Sequence, residues 1–350
     1  MTAVPRLRLA LAGLSHDHVF WLLRHLDHPD VEVVGIYEPD RRLAEAYAAR
    51  FGFSMDLVHR DLPALLEAAR PAAVAAFNPI AHHLAVVEAC APRGVHVMVE
   101  KPLAVSLDHA QRMAELARRH GIHLLTNFET SWYASTYAAY RMAVSEGQFG
   151  AIRKIVVHDG HSGPLERGCS EAFLAWLTDP VLNGGGAIVD FGCYGAGLVP
   201  WLMGGALPRS AAALTQTLKP QVYPRVDDEA NILLAYPGAA AIIQGSWNWP
   251  VGRKDIELYG ETGYVIAQDA THLRVGLAEP GNPRQSREET RVLEPLSDPR
   301  SDPFSYLAAV VSGRLAVEPG GLYSLENNLL AVRILDAARE SARTGRRVDF

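Results

Sequence analysis

The stretch "LALAGLSHDHVF", Leu9 to Phe20, decides the fold: an apolar run stops at Gly13, passes through a polar turn and resumes as apolar residues. A buried parallel strand feeding the first turn of a doubly wound α/β sheet reads this way, and a dinucleotide-binding fold carries G-x-G-x-x-G there. Gly13 is the one glycine of the three that is present; Ser15 and His18 occupy the second and third positions. Whether a dinucleotide binds has to be decided by the rest of the chain.

Working outward, residues 7 to about 126 alternate apolar strands with amphipathic helices. "LRLALAG" is followed by a helix through "VFWLLRHL", then "VEVVGIYE", "DRRLAEAYAARFG" and "AAVAAFN"; "HLAVVEACAPRG", "VHVMVEK", "LDHAQRMAELARRHG" and "IHLLTN" continue the series. Strands separated by helices of this length are βαβ units, which predict a parallel sheet with helices on both faces. After "STYAAYRMAVSEG" the texture changes to alternating strands, "AIRKIVVHDGH", "ANILLAY", "AAAIIQGSWNW" and "KDIELYGETGYVIAQ". That pattern predicts a second domain with an antiparallel or mixed sheet. The expected division is 1–127 and 128–350. The polar, proline-rich "EPGNPRQSREETRVLEPLSDPRSDP" reads as an exposed connection, and "SLENNLLAVRILDAARESARTG" as a helix closed by Gly345.

Composition narrows the class. A chain of 350 residues, 49% hydrophobic, 21% charged and with a formal charge of −6 is long enough for two cores and carries no excess of positive charge. Nucleic acid and anionic membranes are disfavoured as partners. The N-terminus shows no signal-peptide pattern, so a cytoplasmic location is expected. Phe191 to Pro208 is free of charge, but its five glycines and two prolines favour a buried helix start over a membrane span. Cys90, Cys169 and Cys193 are scattered and predict reduced thiols, neither a disulfide frame nor a zinc site.

Four stretches carry candidate chemistry. In "GLSHDH", backbone N–H groups around Ser15, His16, Asp17 and His18 at a helix start would meet a pyrophosphate, with help from the Ser15 hydroxyl. The same three residues His16, Asp17 and His18 resemble a metal patch, but neighbours on one turn seldom converge on one ion, and no metal is expected. Glu38, at the end of the second strand, either accepts both ribose hydroxyls, favouring NAD over NADP, or caps the next helix; Arg41 and Arg42 keep NADP open. Glu100, Lys101 and Pro102 end the strand "VHVMV", where an open α/β sheet lines its ligand crevice; a lysine in a surface turn is the alternative. In "NGGGAIVDFGCYGAG", helical spacing from Ala187 would put Asp190 and Tyr194 on one face, able to share a substrate hydroxyl, against a capping Asp and a core Tyr.

With these residues in place, the chain resembles the Gfo/Idh/MocA family, the glucose-fructose oxidoreductase and inositol dehydrogenase group, over nearly its whole length. The resemblance lies in "VEKPLA" at 99–104, P-x-x-x-H from Pro79 to His83, "GGGAIVDFGCY" at 184–194, "YGETGYV" at 259–265 and "ESARTGRRV" near the C-terminus. It implies an N-terminal Rossmann domain, a C-terminal domain on an open, mostly antiparallel sheet, and homodimers or homotetramers joined through that sheet. It also implies hydride transfer between NAD, or NADP, and a sugar or polyol.

Position by position, the resemblance makes Lys101 the active-site lysine and Asp190 the buried carboxylate. Tyr194 stands where many members have histidine and some have tyrosine. Asn78, Pro79, His83, Glu100 and Asn127 join Gly13, Ser15, His16, Asp17, His18, Glu38 and Lys101 as expected cofactor contacts. Trp132, His161 and Trp176 join Lys101, Asp190 and Tyr194 as expected substrate contacts, with core packing as the alternative for each aromatic. "TNFETSWY" lacks an arginine that the family often has after the asparagine. The expected mechanism gives the substrate hydroxyl proton to Tyr194, with Lys101 as the cation that brings the phenol toward neutrality. A redox-neutral reaction with a tightly held cofactor, and a non-catalytic regulatory relative, are the two rivals.

Overall fold

The computed structural model describes residues 5–279 and 281–350; Met1–Val4, part of the N-terminus read above, and Pro280 of the polar connection lie outside the described residues. The first half builds β1 (Leu7–Ala12), α1 (Phe20–Leu23), β2 (Val31–Tyr37), α2 (Arg41–Phe51), β3 (Val58–His59), α3 (Leu62–Ala69), β4 (Ala73–Ala76), α4 (His83–Cys90), β5 (His96–Glu100), α5 (Leu107–His120) and β6 (Leu124–Asn127). These six strands form one parallel sheet in the order β3-β2-β1-β4-β5-β6. The order reverses between β1 and β4, and a ligand crevice opens at the carboxyl ends of the strands at such a switch point. Ser15 to His18 and the Lys101 turn stand at that edge.

The second half contributes α6 (Ala134–Tyr140), β7 (Lys154–Gly160), α7 (Glu171–Leu177), α8 (Ala187–Asp190), α9 (Gly192–Leu202), β8 (Ser210–Gln216), β9 (Glu229–Tyr236), β10 (Ala239–Ser246), β11 (Arg253–Tyr259), β12 (Gly263–Ala267), β13 (His272–Glu279), β14 (Asn282–Val292), α10 (Pro303–Val311), α11 (Leu325–Thr344) and β15 (Val348–Asp349). Nine strands form an open sheet in the order β14-β13-β12-β11-β7-β10-β9-β8-β15, antiparallel except for the β7/β10 pair. The inward residues Ile155, Val157, Ile232, Leu234, Ile243 and Ile256 share one core with α9, whose eleven residues are all buried. No helix among the described residues is long and apolar enough to cross a membrane.

Three expectations need correction. The helix after the first turn shrinks to a 3-10 turn over Asp17–Val19 and the single α-turn of α1, because the loop is tied down by side chains. The polar connection contains β14, paired along its length with β13, so its charges line a solvent-facing edge strand. The chain from Pro303 does not stay with the second sheet: Phe304, Tyr306, Leu307 and Tyr323 pack into the apolar cluster of Leu9, Leu11 and Leu125 beneath the first one. α11 behaves as its sequence predicts, with the Ser324 hydroxyl accepting from the Asn327 amide and Gly345 at φ +67° closing it.

Candidate active site

β5 delivers Lys101 into a cleft of about 1020 Å³ between the two sheets. The Lys101–Pro102 bond is cis. Lys101 Nζ donates to Asp190 Oδ1 at 2.5 Å and to the Asp190 carbonyl at 2.9 Å. Asp190 Oδ2 accepts from the Trp247 indole N–H at 2.9 Å. Burial works against the Asp190 carboxylate, but the Lys101 charge and hydrogen bond hold it down to about 2; Asp190 in turn raises the Lys101 ammonium against its own burial.

The helix carrying Asp190 is not continuous with Tyr194. α8 ends at Asp190, Phe191 breaks the spiral, and α9 starts afresh at Gly192. Asp227 fixes where α8 begins: its carboxylate accepts the Gly186 and Ile188 amides at 2.9 and 2.7 Å, and a Cβ on Gly186 would lie 1.8 Å from the Asp227 carbonyl oxygen. Asp190 and Tyr194 therefore meet around Lys101 instead of along one helix face, with Lys101 Nζ 5.2 Å from the centre of the Tyr194 ring.

The Tyr194 hydroxyl is reached by a residue the sequence reading missed. Lys254, first inward position of β11, donates to Tyr194 Oη at 3.3 Å and pairs with Glu129, which also accepts the Tyr133 hydroxyl at 2.6 Å. Burial alone would raise Glu129, but Lys254 and Tyr133 hold it down to about 2. Lys101 is thus not the nearest cation to the phenol oxygen. The phenol is not brought toward neutrality either: Tyr194 is 1% exposed, and burial, with Glu129 and other acids nearby, raises it well above its ordinary value. The signal for Lys254 was its parity with Ile256 and Leu258 in "KDIELY".

His161 lines the same cleft edge-on to Phe191, and burial brings it down to about 4. Its Nδ1 accepts the Gly163 amide at 2.9 Å, which leaves the proton on Nε2 as a donor.

On the Rossmann side, Gly13 sits at φ +87°, and a Cβ there would come within 2.6 Å of the Asn78 Cβ. The Asn78 Oδ1 is buried without a partner among the described residues. Of the loop amides, His16 N–H donates to the Phe77 carbonyl and His18 N–H to His16 Nδ1, whereas those of Ser15 and Asp17 carry no acceptor among the described residues. Two open amides at the switch point, with the Ser15 hydroxyl, fit a pyrophosphate, so the cradle is narrower than four consecutive donors. Glu38 is 5% exposed and accepts the Leu14 and Asp40 amides at 2.8 and 2.9 Å. It braces the loop at the end of β2.

Several expected contacts serve as supports. His83 is fully buried, its Nδ1 paired with the Leu103 carbonyl at 3.1 Å, so it steadies the Lys101 turn, and its Nε2 has no partner among the described residues. Glu100 binds the His18 ring at 3.0 Å and the Asn127 amide at 2.6 Å, and Asn127 Oδ1 accepts the Trp132 indole N–H at 2.9 Å. Glu100 is held down to about 2 despite its burial, by His18 beside it and by the Asn127 bond. Trp132 packs on Tyr306 and Tyr323, away from the cleft. Trp176 donates to the Ser15 carbonyl at 3.2 Å and packs on His16, so it clamps the loop and is not a sugar platform. Ser170 N–H adds a bond to Asp17 Oδ2 at 2.9 Å.

His16 and His18 do converge, with Glu100 in place of Asp17. The His16 Nδ1 lone pair is already used by the His18 amide, which puts the ring proton on Nε2, the atom facing Glu100. A cation there would have to break that bond and displace the proton.

The chain as a whole matches known proteins. Residues 8–128 match the oxidoreductase family with the NAD-binding Rossmann fold, and residues 137–266 match the GFO/IDH/MocA C-terminal domain. The chain is 28% identical over 350 residues to D-xylose 1-dehydrogenase (NADP(+)) 2 of Haloferax volcanii, covering 98% of each chain. It is 31% identical over 191 residues to dTDP-3,4-didehydro-2,6-dideoxy-alpha-D-glucose 3-reductase of Streptomyces antibioticus, a match spanning 54% of this chain and 55% of that protein. The fold superposes on aldose-aldose oxidoreductase from Caulobacter crescentus with a TM-score of 0.80 at 21% identity, covering 99% of this chain and 100% of that one. The chain belongs to the GFO/IDH/MocA family. It is an NAD(P)-dependent oxidoreductase with an NAD-binding Rossmann domain.

Proposed function

We propose that the protein transfers a hydride between a nicotinamide and a secondary alcohol or ketone carbon of a sugar, polyol or related carbohydrate. One observation carries this reading: Lys101, Asp190, Tyr194 and His161 line a single cleft with the loop from His16 to His18. The Ser15 and Asp17 amides and Glu38 would hold the dinucleotide, which would supply the hydride acceptor or donor. The rest falls to the chain. Lys101, fixed by Asp190, presents positive charge to the reacting oxygen, and the His161 Nε2–H donates to a neighbouring hydroxyl. Tyr194, protonated in its buried setting, gives a proton to a carbonyl oxygen during reduction and takes it back during oxidation.

NAD is preferred over NADP in this reading because the Glu38 carboxylate would meet a 2′-phosphate. Assays of D-xylose, D-glucose and myo-inositol and their keto forms with each dinucleotide test the proposal. Turnover with none of them, together with no dinucleotide-induced thermal shift, would sink it.

The Trp176 and Ser170 bonds to the phosphate loop favour a second reading, a redox-neutral sugar reaction in which the dinucleotide never leaves. Dinucleotide released only on denaturing the protein, and failing to exchange with labelled NAD, would select it.

A second copy of the chain is the partner we infer for the outer face of the large sheet. Ala212, Leu233, Ile242 and Val156 form an apolar row across four paired strands there, with Leu233 52% exposed. A monomeric mass by light scattering would remove this inference.

A further inference from the structure

We propose that Lys254 is the positioning residue through which Tyr194 exchanges its proton with solvent; the inference rests on the oxidoreductase reading above. Tyr194 Oη has one hydrogen-bond partner among the described residues, Lys254 Nζ at 3.3 Å. Lys101 is spent on Asp190 and stands over the ring, not at the hydroxyl. The Tyr194 side chain is buried, whereas that of Lys254 is 21% exposed and lines the cleft. A proton leaving or reaching the phenol oxygen has this ammonium as its protein neighbour.

The surroundings fit a relay. Glu129, from the turn before α6, anchors Lys254, and Tyr133 anchors Glu129. From β7, Asp159 pairs with Lys254 in the strand register; its two carboxylate oxygens are buried and have no partner among the described residues, and burial pushes the group well above the usual carboxylate range. Cys193 from α9, Asp190 from α8, Lys101 from β5 and His161 complete the titratable groups around the pair. Glu129 is the acid whose carboxylate reaches Lys254 Nζ.

During reduction the Tyr194 O–H bond breaks as the carbonyl oxygen takes the proton and its carbon takes the hydride from the reduced nicotinamide. The phenolate so formed receives a proton from the Lys254 ammonium. The neutral amine then takes up a proton from bulk solvent by way of water in the cleft, which is the one proton that hydride reduction of a carbonyl consumes. Oxidation runs the same bonds in reverse.

The test uses the full-length protein with whichever of D-xylose, D-glucose or myo-inositol turns over, in steady state and in a single turnover followed by nicotinamide fluorescence. Lys254→Ala is expected to lower kcat by about 100-fold, the lower end of what general acid–base groups contribute, while KM for the dinucleotide stays within about threefold of wild type. Added methylamine should restore rate in proportion to its concentration, with a pH dependence that follows the amine. Lys254→Arg keeps the charge but cannot give up its proton, and should stay slow with or without amine.

Lys254→Met keeps the stem if the alanine variant does not fold, and is expected to show a first turnover much faster than its steady state. The inference is overturned if Lys254→Ala or Lys254→Met turns over within about threefold of wild type, or if slow variants ignore methylamine and slow the first turnover equally. An active wild type with an inactive Tyr194→Phe and an unaffected Lys254→Ala removes this inference alone. A wild type inactive on all three substrates and without a dinucleotide-induced thermal shift removes the parent reading.

Discussion

Lys101 and Asp190 form a buried pair at 2.5 Å, and the same ammonium also holds the Asp190 carbonyl, so side chain and backbone of the carboxylate partner are fixed by one cation. The pair spans the two halves of the chain. Exchanging Asp190 for Asn preserves shape and an acceptor for Trp247 but leaves the lysine charge buried without its counter-ion. Removing one partner of a buried pair costs about 3–5 kcal/mol. Asp190→Asn should therefore melt at a lower temperature by calorimetry and lose about 100-fold or more in kcat/KM; wild-type melting with wild-type turnover would show the pair to be incidental.

Tyr194→Phe removes one oxygen from a packed site and leaves the Phe128 and Phe191 ring contacts in place. Turnover should fall by about 100-fold or more at unchanged dinucleotide affinity, since the lost group acts on the reacting proton and not on the cofactor. Affinity is read by thermal shift with NAD. If turnover survives, Lys101 carries the proton.

Much of the fold was legible because its signals are local. The strand–helix alternation from Leu7 to Asn127, the Ser324 to Gly345 helix and the inward parity of β9 and β10 each follow from residues near in sequence. The miss at β14 was physical in origin: "NPRQSREETRV" is an edge strand whose charges keep it from further pairing, so its composition is that of a loop. The resemblance named Lys101, Asp190 and Tyr194, and the structure brings the three to one cleft. The site was not legible where a support mimics a ligand contact. His83, Trp132 and Trp176 have the chemistry of binding residues, but His83 meets the Leu103 carbonyl, Trp132 the Asn127 amide and Trp176 the Ser15 carbonyl, contacts set by tertiary structure. Lys254 shows the converse, a charged strand residue whose role appears only when β11 is laid against α9.

Trp176→Phe tests the clamp. The ring stays on His16 and Phe173 while the N–H to Ser15 is lost, at about 1 kcal/mol. The melting temperature should fall slightly and the dinucleotide should dissociate several-fold faster in stopped-flow displacement. An unchanged off-rate would show that the clamp does not govern cofactor residence.

His83 gives the chain a pH dependence of definite sign. Burial brings the folded-state value down to about 4, against an ordinary value near 6.5. Below about pH 6.5 the unfolded chain takes up a proton that the folded chain refuses until about pH 4, so stability is full at neutral pH and falls through that window. The gap converts to about 3 kcal/mol at most. His161 adds a smaller loss of the same sign, being less buried. Glu100 and Glu129, held down to about 2, act only below about pH 4.5, where protonation of the unfolded chain begins to cost further stability. Between pH 6.5 and 4.5 these two histidines act without those carboxylates, alongside His16, which burial lowers well below its ordinary value and which contributes with the same sign. Urea unfolding across that window should show wild type losing stability more steeply than His83→Gln, whose amide cannot take the proton. Parallel curves for the two would place the titration elsewhere.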